Sequence, residues 1–453
     1  MSTSPGGGKR KRTTLSSRVS PPPSRRKLQS STTKSAIASF FTPSSQKAPE
    51  KLKWQERAYS DQLPNTLLVG KHVPTDTSPT LPGLNQKKKK RIAAFDFDST
   101  LITTVSGKKS YSSESNDWKW WHPSVPGKLR QLYTEEGYLI AVVSNQAGLS
   151  LKTDPKGSGK RLNTFKDKAS AVLNQLDMPI IIYAATEKDI YRKPRMGMWT
   201  ELLDDCKISS DDLDLEHSIF VGDAAGRHAE AGKAKDFSCS DRNFAGNIGL
   251  KFYTPEEFFL DEVPRAFSRT FEPSEFLPNT AAEVIAPFSR NSPQDLVVFV
   301  GSPGAGKSTF YWHNLQPLGY ERVNQDILKT RERCLKVAEQ YLIEGKSVAV
   351  DNTNADSEVR RRWIELAAKR SVPVRCVHFT AAAEICEHND AVRALNSNMN
   401  PEKRSMLPSV AFRGYSSRYQ PPKIAEGFED ITEVSFKFEG KESERNLWMQ
   451  YWT

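Results

Sequence analysis

A glycine-rich run directly after an apolar strand is the feature that most constrains this chain. The run 301–309 reads GSPGAGKST, matches the pattern G-x-x-x-x-G-K-[ST] and follows the apolar segment Leu296–Val300. Glycines let backbone N–H groups curl around a phosphate, and the helix that follows points its positive end at the same anion. The lysine of the pattern reaches the β- and γ-phosphate oxygens, and its hydroxyl residue ligates Mg²⁺. The predicted ATP-binding residues are Gly301, Gly304, Gly306, Lys307, Ser308 and Thr309, and Ser308 is also a predicted metal ligand.

Polar positions after this loop indicate phosphoryl transfer rather than another use of ATP. Asp326 ends a predicted strand, where a carboxylate can accept a hydroxyl proton. Asp351 follows another apolar segment and could support Mg²⁺ or orient the acceptor. Arg393 lies in a helical pattern, either as a lid arginine over the transferring phosphate or as a surface charge. Asp326 and Arg393 are accordingly predicted to be catalytic.

Two aspartates follow the first apolar strand of the series. In Asp96-Phe97-Asp98 the two carboxylates are two residues apart, so on an extended backbone they point to the same side. Two such carboxylates repel each other and need a cation or a shared proton. A bound Mg²⁺ meets that need, so that one aspartate can attack phosphorus while the other handles the proton of the leaving group. Asp96 and Asp98 are therefore predicted as catalytic residues and as metal ligands.

The next three apolar strands end in polar residues of matching chemistry. Because the carboxyl ends of parallel strands meet at one edge of a sheet, these residues should converge on the aspartate pair. They supply hydroxyl and amide donors, a cation and a further carboxylate. They are Ser144 and Asn145, Lys193, and Asp223.

This order of residues resembles the haloacid-dehalogenase phosphohydrolases. The resemblance implies that Asp96 forms an aspartyl-phosphate and that Asp98 acts as general acid and then as general base. It also implies that Asp223 joins Asp96 in binding Mg²⁺. The implied phosphate-binding residues are Ser144, Asn145 and Lys193, of which Lys193 is also catalytic.

Two details of this resemblance stay open in the sequence. Ser99 stands where the family usually has glycine, and we expect a negative φ there, where serine costs little. Only Asp223 stands at the last strand, and either Asp236 or Asp241 could assist it.

Apolar strands that alternate with amphipathic stretches indicate two tandem α/β domains with parallel sheets. We predict a first domain over 54–265, a linker rich in Pro, Ser and Asn over 266–294, and a second domain over 295–453. No apolar run approaches the ~18 residues of a membrane span, so we expect no membrane segment. The predicted strands are Ile92–Phe95, 138–143, 180–183 and 218–221 in the first domain, and Leu296–Val300, 347–350 and Val374–Phe379 in the second.

Residues 1–53 carry the excess charge of the chain. They hold 12 of the 65 Lys and Arg residues and 1 of the 54 acidic residues, which leaves the remaining 400 residues balanced at 53 of each. This tail is rich in Ser, Thr and Pro without periodicity, and we predict it to be disordered. Its run Lys9-Arg10-Lys11-Arg12, followed by Arg25-Arg26-Lys27, is either a nuclear import signal or a solvated basic arm. On the first reading the protein is nuclear.

One aliphatic–aromatic cluster interrupts the tail between Lys34 and Phe41. A short turn would place Ile37, Phe40 and Phe41 on one side, as an apolar plug for a partner. The cluster resembles the clamp-binding box of replication and repair proteins, with Lys34 where glutamine is usual. The alternatives are a sliding-clamp partner and a chance cluster.

Longer stretches narrow the resemblance to one family. They read DWKWW from 117, SNQ from 144, RKPRMGMW from 192, VGDAAGR from 221 and DFSCSD from 236. With the glycine-rich loop and the DNTN run from 351, they resemble the polynucleotide kinase 3′-phosphatases over roughly residues 54–453. The resemblance implies a first domain that removes 3′-phosphates from DNA ends and a second that phosphorylates 5′-hydroxyls with ATP, with Mg²⁺ as cofactor. Where the animal enzymes have a forkhead-associated domain, we expect only the short tail here.

DNA contacts in a chain with neutral domains have to come from local clusters. We assign the acceptor strand to Asp351, Asn352 and Arg333, with Lys329 as an alternative to Arg333. Trp118, close to Trp120 and Trp121 in the sequence, either stacks on unpaired bases or belongs to the core. Six basic residues after the SNQ run either contact DNA or form a solvated rim: Lys152, Lys156, Lys160, Arg161, Lys166 and Lys168.

Other functions remain compatible with these residues. The same two chemistries could serve RNA ends or small nucleotides, because no base- or ribose-reading residue can be named. A nucleotide-binding repair scaffold with decayed sites is a further alternative, which the complete sets of polar residues disfavour. We expect a monomer.

Overall fold

Two β-sheets flanked by helices form the part of the chain that the computed structural model describes, residues 51–74, 89–108, 114–152, 158–278 and 288–453. The predicted import signal and clamp-binding box lie outside these residues. In chain order the strands are β1 (Leu52–Arg57), β2 (Leu67–His72), β3 (Ile92–Phe95), β4 (Ile102–Thr103), β5 (Lys119–Trp120), β6 (Leu139–Asn145), β7 (Ile180–Ala185), β8 (Ile219–Val221), β9 (Lys251–Tyr253), β10 (Leu296–Val300), β11 (Glu321–Val323), β12 (Val348–Val350), β13 (Val374–Phe379) and β14 (Ile431–Val434).

The helices are α1 (Val125–Thr134), α2 (Ser158–Leu176), α3 (Gly197–Cys206), α4 (Ser240–Ile248), α5 (Pro255–Leu260), α6 (Lys307–Phe310), α7 (Gln325–Leu328), α8 (Arg331–Ile343), α9 (Ser357–Lys369), α10 (Ala383–Leu395), α11 (Ser409–Arg418) and α12 (Glu442–Trp448). Among the described residues, no helix has both the length and the apolar character needed to cross a bilayer.

The first sheet has seven strands in the order β1-β2-β7-β6-β3-β8-β9. Strands β7, β6, β3, β8 and β9 pair in parallel, whereas β1 and β2 are antiparallel. Helices α1, α2 and α5 cover one face and α3 and α4 the other, so β3 and β7 are buried along their whole length. The predicted α/β class is confirmed, and the carboxyl ends of the parallel strands meet at one edge.

Strands β1 and β2 were not predicted. Residues 51–53 were assigned to the tail and 54–86 to no element, yet β1 begins at Leu52. Most of β1 is polar and only partly buried, as expected for an edge strand, so its sequence lacks a clear period-2 pattern. The position of β1 is set by its pairing with β2 and by the ring of Trp54, which packs on Gly70. A Cβ added at Gly70 would lie 2.7 Å from that ring.

The second sheet has five parallel strands in the order β11-β12-β10-β13-β14. Helices α8 and α9 pack on one face, and α6, α10 and α11 on the other. The central strand β10 is fully buried and leads directly into residues 301–306, which precede α6. The glycine-rich loop therefore lies at the carboxyl edge of this sheet, as the sequence predicts.

Candidate active sites

Three carboxylates meet at the carboxyl edge of the first sheet. Asp96 follows β3, Asp223 follows β8 and Asp241 lies in the first turn of α4, and one oxygen from each lies within 4.8 Å of the others. The Lys193 ammonium lies between two of them, 2.7 Å from Asp96 Oδ1 and 2.8 Å from Asp241 Oδ1. The predicted residues Asp96, Lys193 and Asp223 are thus brought together.

The charges of this cluster do not balance. Burial and the neighbouring carboxylates raise the pKa of both Asp96 and Asp223, although Lys193 opposes this for each. Burial alone would lower the pKa of Lys193, but Asp241 and Asp96 outweigh it and raise that pKa. Three carboxylates against one ammonium leave an excess of two negative charges, and carboxylate oxygens are the ligands that Mg²⁺ prefers. The residues present therefore fit a divalent cation.

Asp241 resolves a choice that the sequence left open. Its Oδ2 accepts the Ala224 N–H at 3.1 Å, and a Cβ at position 222 would lie 2.4 Å from that oxygen, so Gly222 permits the approach. Asp236 has a different role, because its Oδ2 accepts the N–H groups of Ala225 and Arg227 and the Arg227 Nε–H. A glycine directly before the strand-end aspartate was the available signal for Asp241.

Asp98 lies beside this cluster with partners of its own. Gln146 Nε2 donates to Asp98 Oδ2 at 2.7 Å and to Ser144 Oγ at 3.0 Å. Burial raises the pKa of Asp98, against the opposing effects of Gln146 and Lys168. Asp98 was predicted as a metal ligand, but the group of three carboxylates consists of Asp96, Asp223 and Asp241. A carboxyl group with a raised pKa suits an acid that delivers a proton.

The Asn145 amide contacts the backbone of Lys193. Its Oδ1 accepts the Lys193 N–H at 2.9 Å and its Nδ2 donates to the Lys193 carbonyl at 3.1 Å. Because both polar atoms of this amide are engaged by the backbone, the contacts favour a positioning role for Asn145 over the predicted phosphate-binding role. Asn145 positions Lys193 instead, whereas the buried Ser144 hydroxyl stays beside Asp98 through Gln146.

The expected backbone at Ser99 is wrong. Its φ is +58°, in the left-handed region, and its N–H donates to the Ile102 carbonyl at 2.8 Å. The tight turn between Asp98 and β4 imposes this conformation, which a glycine adopts more easily.

The predicted DNA residues of the first domain are only partly at the surface. Trp118 is half-buried, packs against the core and meets Trp120 edge-to-face at 5.4 Å. Lys168 is 5 % exposed and acts on Asp98, and Lys166 lies 3.7 Å from Glu56, so neither forms a free rim. Of the other basic residues, Lys152, Lys160 and Arg161 are exposed and Lys156 lies outside the described residues.

The second sheet carries a cavity of about 1520 Å³ at its carboxyl edge. The glycine-rich loop forms one wall, with left-handed φ values of +77° at Gly304 and +89° at Gly306. Lys307 Nζ donates to the carbonyl groups of Gly301 and Ser302, and burial lowers the pKa of Lys307 to about 8. A buried ammonium held only by carbonyl groups favours an incoming polyphosphate, so this wall suits ATP.

Asp351 lies on this nucleotide side of the cavity, where its contacts favour the predicted support of Mg²⁺ over the predicted contact with the DNA acceptor. Its side chain is 1 % exposed, and its Oδ2 accepts hydrogen bonds from Ser308 Oγ at 2.8 Å and from the Arg322 guanidinium. A buried carboxylate beside the hydroxyl of the loop fits a magnesium site shared with ATP. Asn352 lines the cavity and accepts the Gln325 N–H with its Oδ1 at 2.8 Å.

The acceptor side of the cavity holds Asp326. Its side chain is 71 % exposed and lines the cavity, as a base for an incoming hydroxyl requires. Lys329 lines the cavity as well, whereas Arg333 points outward on α8 and does not, so of these two candidates the structure favours Lys329. Arg393 lines the cavity from α10 and pairs with Asp390, which also accepts the Leu407 N–H.

Sequence reasoning missed a chain of alternating charges across this cavity. Arg404 lies 3.3 Å from Asp326 Oδ2 and contacts Glu402, whose other oxygen accepts from Arg322 at 2.7 Å. Arg322 in turn contacts Asp351 and Ser308. No motif surrounds these positions, because the segment that carries Glu402 and Arg404 is irregular and reaches the cavity only through the fold.

Comparisons with known proteins agree with both sites. A family model for polynucleotide kinase 3 phosphatase matches residues 91–259, and an AAA domain model matches 296–422. The bifunctional polynucleotide phosphatase/kinase of Schizosaccharomyces pombe is 41% identical over 367 residues, which are 80% of this chain and 84% of that protein.

Two further relatives are named for the phosphatase alone. A polynucleotide 3′-phosphatase of Arabidopsis thaliana is 33% identical over 39% of this chain and 25% of its own length. That of Saccharomyces mikatae is 27% identical over 37% of this chain and 84% of its own length. The chain as a whole, with a phosphatase domain followed by a phosphate-binding-loop domain, belongs to the family of bifunctional polynucleotide phosphatase/kinases.

Proposed function

We propose that this chain prepares broken DNA for ligation, removing the 3′-phosphate at the Asp96 site and phosphorylating the 5′-hydroxyl from ATP at the Lys307 site. One observation carries the proposal. The chain holds two separate phosphate-handling centres, a buried carboxylate–lysine cluster on one sheet and a glycine-rich cavity with an exposed carboxylate on the other. Ligation needs a 3′-hydroxyl and a 5′-phosphate, so the two reactions repair opposite sides of one break.

The phosphatase reaction uses Asp96 as the nucleophile. An Asp96 carboxylate oxygen forms a bond to phosphorus while the bond from phosphorus to the 3′-oxygen breaks, and Asp98 gives its proton to that oxygen. Asp98 then takes a proton from the water that attacks phosphorus and releases phosphate from Asp96. Asp96, Asp223 and Asp241 would hold Mg²⁺, which would neutralise charge on the phosphoryl oxygens, and Lys193 faces the same position.

The kinase reaction uses Asp326 as the base. Asp326 takes the proton of the 5′-hydroxyl, whose oxygen bonds to the γ-phosphorus of ATP while the bond to the bridging oxygen breaks and ADP leaves. Lys307 and the loop N–H groups hold the β- and γ-phosphates, and Ser308 with Asp351 would hold Mg²⁺. Arg393 and Arg404 reach the same cavity and bring positive charge to the transferring group.

The substrate and cellular assignments complete the proposal. Membership in the family of bifunctional polynucleotide phosphatase/kinases supports polynucleotide ends as the substrate. That these ends are DNA and not RNA is a further part of the proposal. The basic run from Lys9 to Arg12 supports nuclear import, and the cluster from Lys34 to Phe41 supports a sliding-clamp partner. A peptide of residues 30–45 that fails to bind the clamp would remove that partner.

A nicked duplex with a 3′-phosphate and a 5′-hydroxyl, supplied with ATP and Mg²⁺, tests the two activities together. Asp96→Asn should abolish phosphate release and leave 5′ labelling intact, because the nucleophile is lost while the kinase cavity is unchanged. Lys307→Ala should abolish 5′ labelling only. Loss of both activities in each variant would contradict two separate centres, and equal turnover of a matched RNA nick would contradict the choice of DNA.

A further inference from the structure

We propose that residues 448–452, at the end of the chain, are a shared positioning element that holds the Lys193 loop of the phosphatase on one side and the glycine-rich loop of the kinase on the other. The proposal rests on the functions proposed for these two centres. Its basis is two sets of hydrogen bonds, one between Trp448 and the glycine-rich loop and one between residues 451–452 and the residues after Lys193, which the backbone of residues 448–452 joins.

On the phosphatase side, the last residues hold the backbone that directly follows Lys193. Asn247 of α4 donates from Nδ2 to the Pro194 carbonyl at 2.9 Å and to the Tyr451 carbonyl at 2.8 Å, and its Oδ1 accepts the Tyr451 N–H at 2.8 Å. Arg195 donates from Nε to the Trp452 carbonyl at 3.0 Å. Arg195 therefore contacts Trp452 directly, and Pro194 is linked to Tyr451 through Asn247.

These hydrogen bonds matter because the Lys193 loop, which joins β7 to α3, contains no helix or strand that would fix its backbone. Asn145 holds the Lys193 backbone from β6, Asn247 of α4 holds the Pro194 carbonyl, and the Trp452 carbonyl accepts a hydrogen bond from Arg195. The Arg195 guanidinium is buried and also donates to the Asp189 carbonyl, at the start of the same loop. Loss of residues 451–453 would remove the contacts of Tyr451 with Asn247 and of Trp452 with Arg195.

On the kinase side, the same segment holds the glycine-rich loop through α10. Trp448 Nε1 donates to Asn389 Oδ1 at 2.8 Å, and Asn389 Nδ2 donates to the Gly304 carbonyl at 2.9 Å. His388 Nε2 donates to the Trp448 carbonyl at 2.9 Å. A Cβ at Gly304 would lie 2.1 Å from the Cys386 carbonyl oxygen, so the loop rests directly on α10.

The segment between these contacts is held by burial. Trp448 and Trp452 are 2 % and 4 % exposed, and they lie in one apolar cluster with Val392 and Phe438 of the kinase domain. Ile190, in the loop between β7 and α3, packs against the same cluster. A short segment buried at both ends fixes two loops relative to one core.

Shortening the chain by three residues tests the phosphatase side. A protein that ends at Gln450 loses the contacts to Asn247 and Arg195, and its phosphatase kcat should fall about tenfold or more with KM little changed, because a misplaced catalytic group slows the chemical step. A protein that ends at Trp452 loses only the exposed Thr453 and is the matched control, with full activity expected.

A second variant separates positioning from loss of folded protein. Asn247→Ala removes the contacts to Pro194 and Tyr451 without shortening the chain, and Tyr451→Phe loses only the hydroxyl contact to Glu272 and serves as its control. If the chain end acts through Asn247, the defects of Asn247→Ala and of the shortened chain should not add when combined. Additive defects would place the effect of the shortened chain on the Arg195–Trp452 contact, and an unchanged phosphatase kcat in both variants would overturn the proposal.

Two measurements test this positioning role without depending on the natural substrates of the two centres. Hydrolysis of p-nitrophenyl phosphate reports on the Lys193 centre whatever the natural substrate is. On the kinase side, Trp448→Phe keeps the buried ring but loses the donor to Asn389, and calorimetry should show several-fold weaker binding of a non-hydrolysable ATP analogue. Unchanged analogue binding in Trp448→Phe would restrict the chain end to the phosphatase and refute the shared role.

Discussion

Several side chains at both sites hold the backbone or another side chain instead of a substrate. Asn145 was expected to bind phosphate, but its amide makes hydrogen bonds with both the N–H and the carbonyl group of Lys193. Gln146 likewise holds Asp98 and Ser144 together. A residue type at a strand end therefore predicts that the side chain is at the site, but not which neighbour it contacts.

At Asn145, replacement by alanine tests this positioning role. Asn145→Ala should lower the phosphatase kcat roughly 10- to 100-fold, since Lys193 loses two hydrogen bonds that fix its backbone and a small misplacement has effects of that size. Steady-state hydrolysis of a 3′-phosphate oligonucleotide measures it. Kinase activity of the same sample should be unchanged, and a rise in KM without a fall in kcat would instead support the original phosphate-binding assignment.

Replacement of Arg404 by alanine tests the role of this cation in the kinase cavity, which the sequence did not predict. Arg404→Ala should lower kinase kcat/KM roughly 10- to 100-fold, because a charge-assisted contact next to Asp326 is lost. Transfer of labelled phosphate to a 5′-hydroxyl oligonucleotide measures it. Arg413→Ala removes the same charge from an exposed position of α11 and should be neutral, so equal defects in the two variants would exclude a local role for Arg404.

The predicted site residues that the structure places at or beside the carboxylate cluster share one property. Asp96, Asp98 and Asp223 stand within three residues of a buried strand, so the strand pattern fixes their position. Asp241, Lys168 and Arg404 come from helices or from an irregular segment and reach the sites through tertiary packing. Nothing in their local sequence distinguishes them from surface charges.

Among the elements, the buried parallel strands were predicted, whereas the edge strands β1, β9 and β14 were not. The run 92–95 is wholly apolar and matches β3 in full, since strands covered on both faces need continuous apolar residues. Strands β1 and β14 are largely polar and lie at sheet edges. Their pairing partners place them, and a partner is not visible in a local pattern.

Helix α10 carries a buried histidine that makes stability depend on pH. His388 is fully buried, donates from Nε2 to the Trp448 carbonyl, and has no partner at Nδ1, so burial lowers the pKa of His388 to about 4. The unfolded chain, with an ordinary histidine pKa near 6.5, then binds more protons between pH 6.5 and 4, and stability falls as pH falls through that range. The loss between pH 7 and 5 should be roughly 2 kcal/mol.

Urea unfolding at pH 7 and pH 5 measures this loss. His388→Gln keeps a side-chain donor but does not titrate, so its stability should fall by roughly 2 kcal/mol less than that of the natural chain over the same interval. Because other groups titrate in both proteins, the difference between the two losses is the relevant quantity. Identical losses would contradict a neutral buried His388.

For the whole molecule, the packing of the chain end predicts that the two domains share their resistance to heat. A saturating non-hydrolysable ATP analogue at about 100 times its Kd stabilises the form that binds it by about 2.7 kcal/mol. Because residues 448–452 join the kinase core to the phosphatase, this analogue should also raise the temperature at which phosphatase activity is lost.

Residual phosphatase activity after brief heating, with and without the analogue, measures this protection. Lys307→Ala removes the cation that holds the polyphosphate, so this variant should show little protection at the same analogue concentration. Protection of kinase activity without any protection of phosphatase activity would show that the two halves unfold independently.

Strands β1 and β2 also decide where the chain can be divided. Leu67 to Val69 are completely inaccessible, and β2 lies between β1 and β7 with its hydrogen bonds used on both sides. A phosphatase fragment cut at residue 87, shortly before the first strand that the sequence predicts, would leave β7 as a bare apolar edge, and such edges pair with other chains and aggregate. Recombinant fragments should therefore start before residue 51.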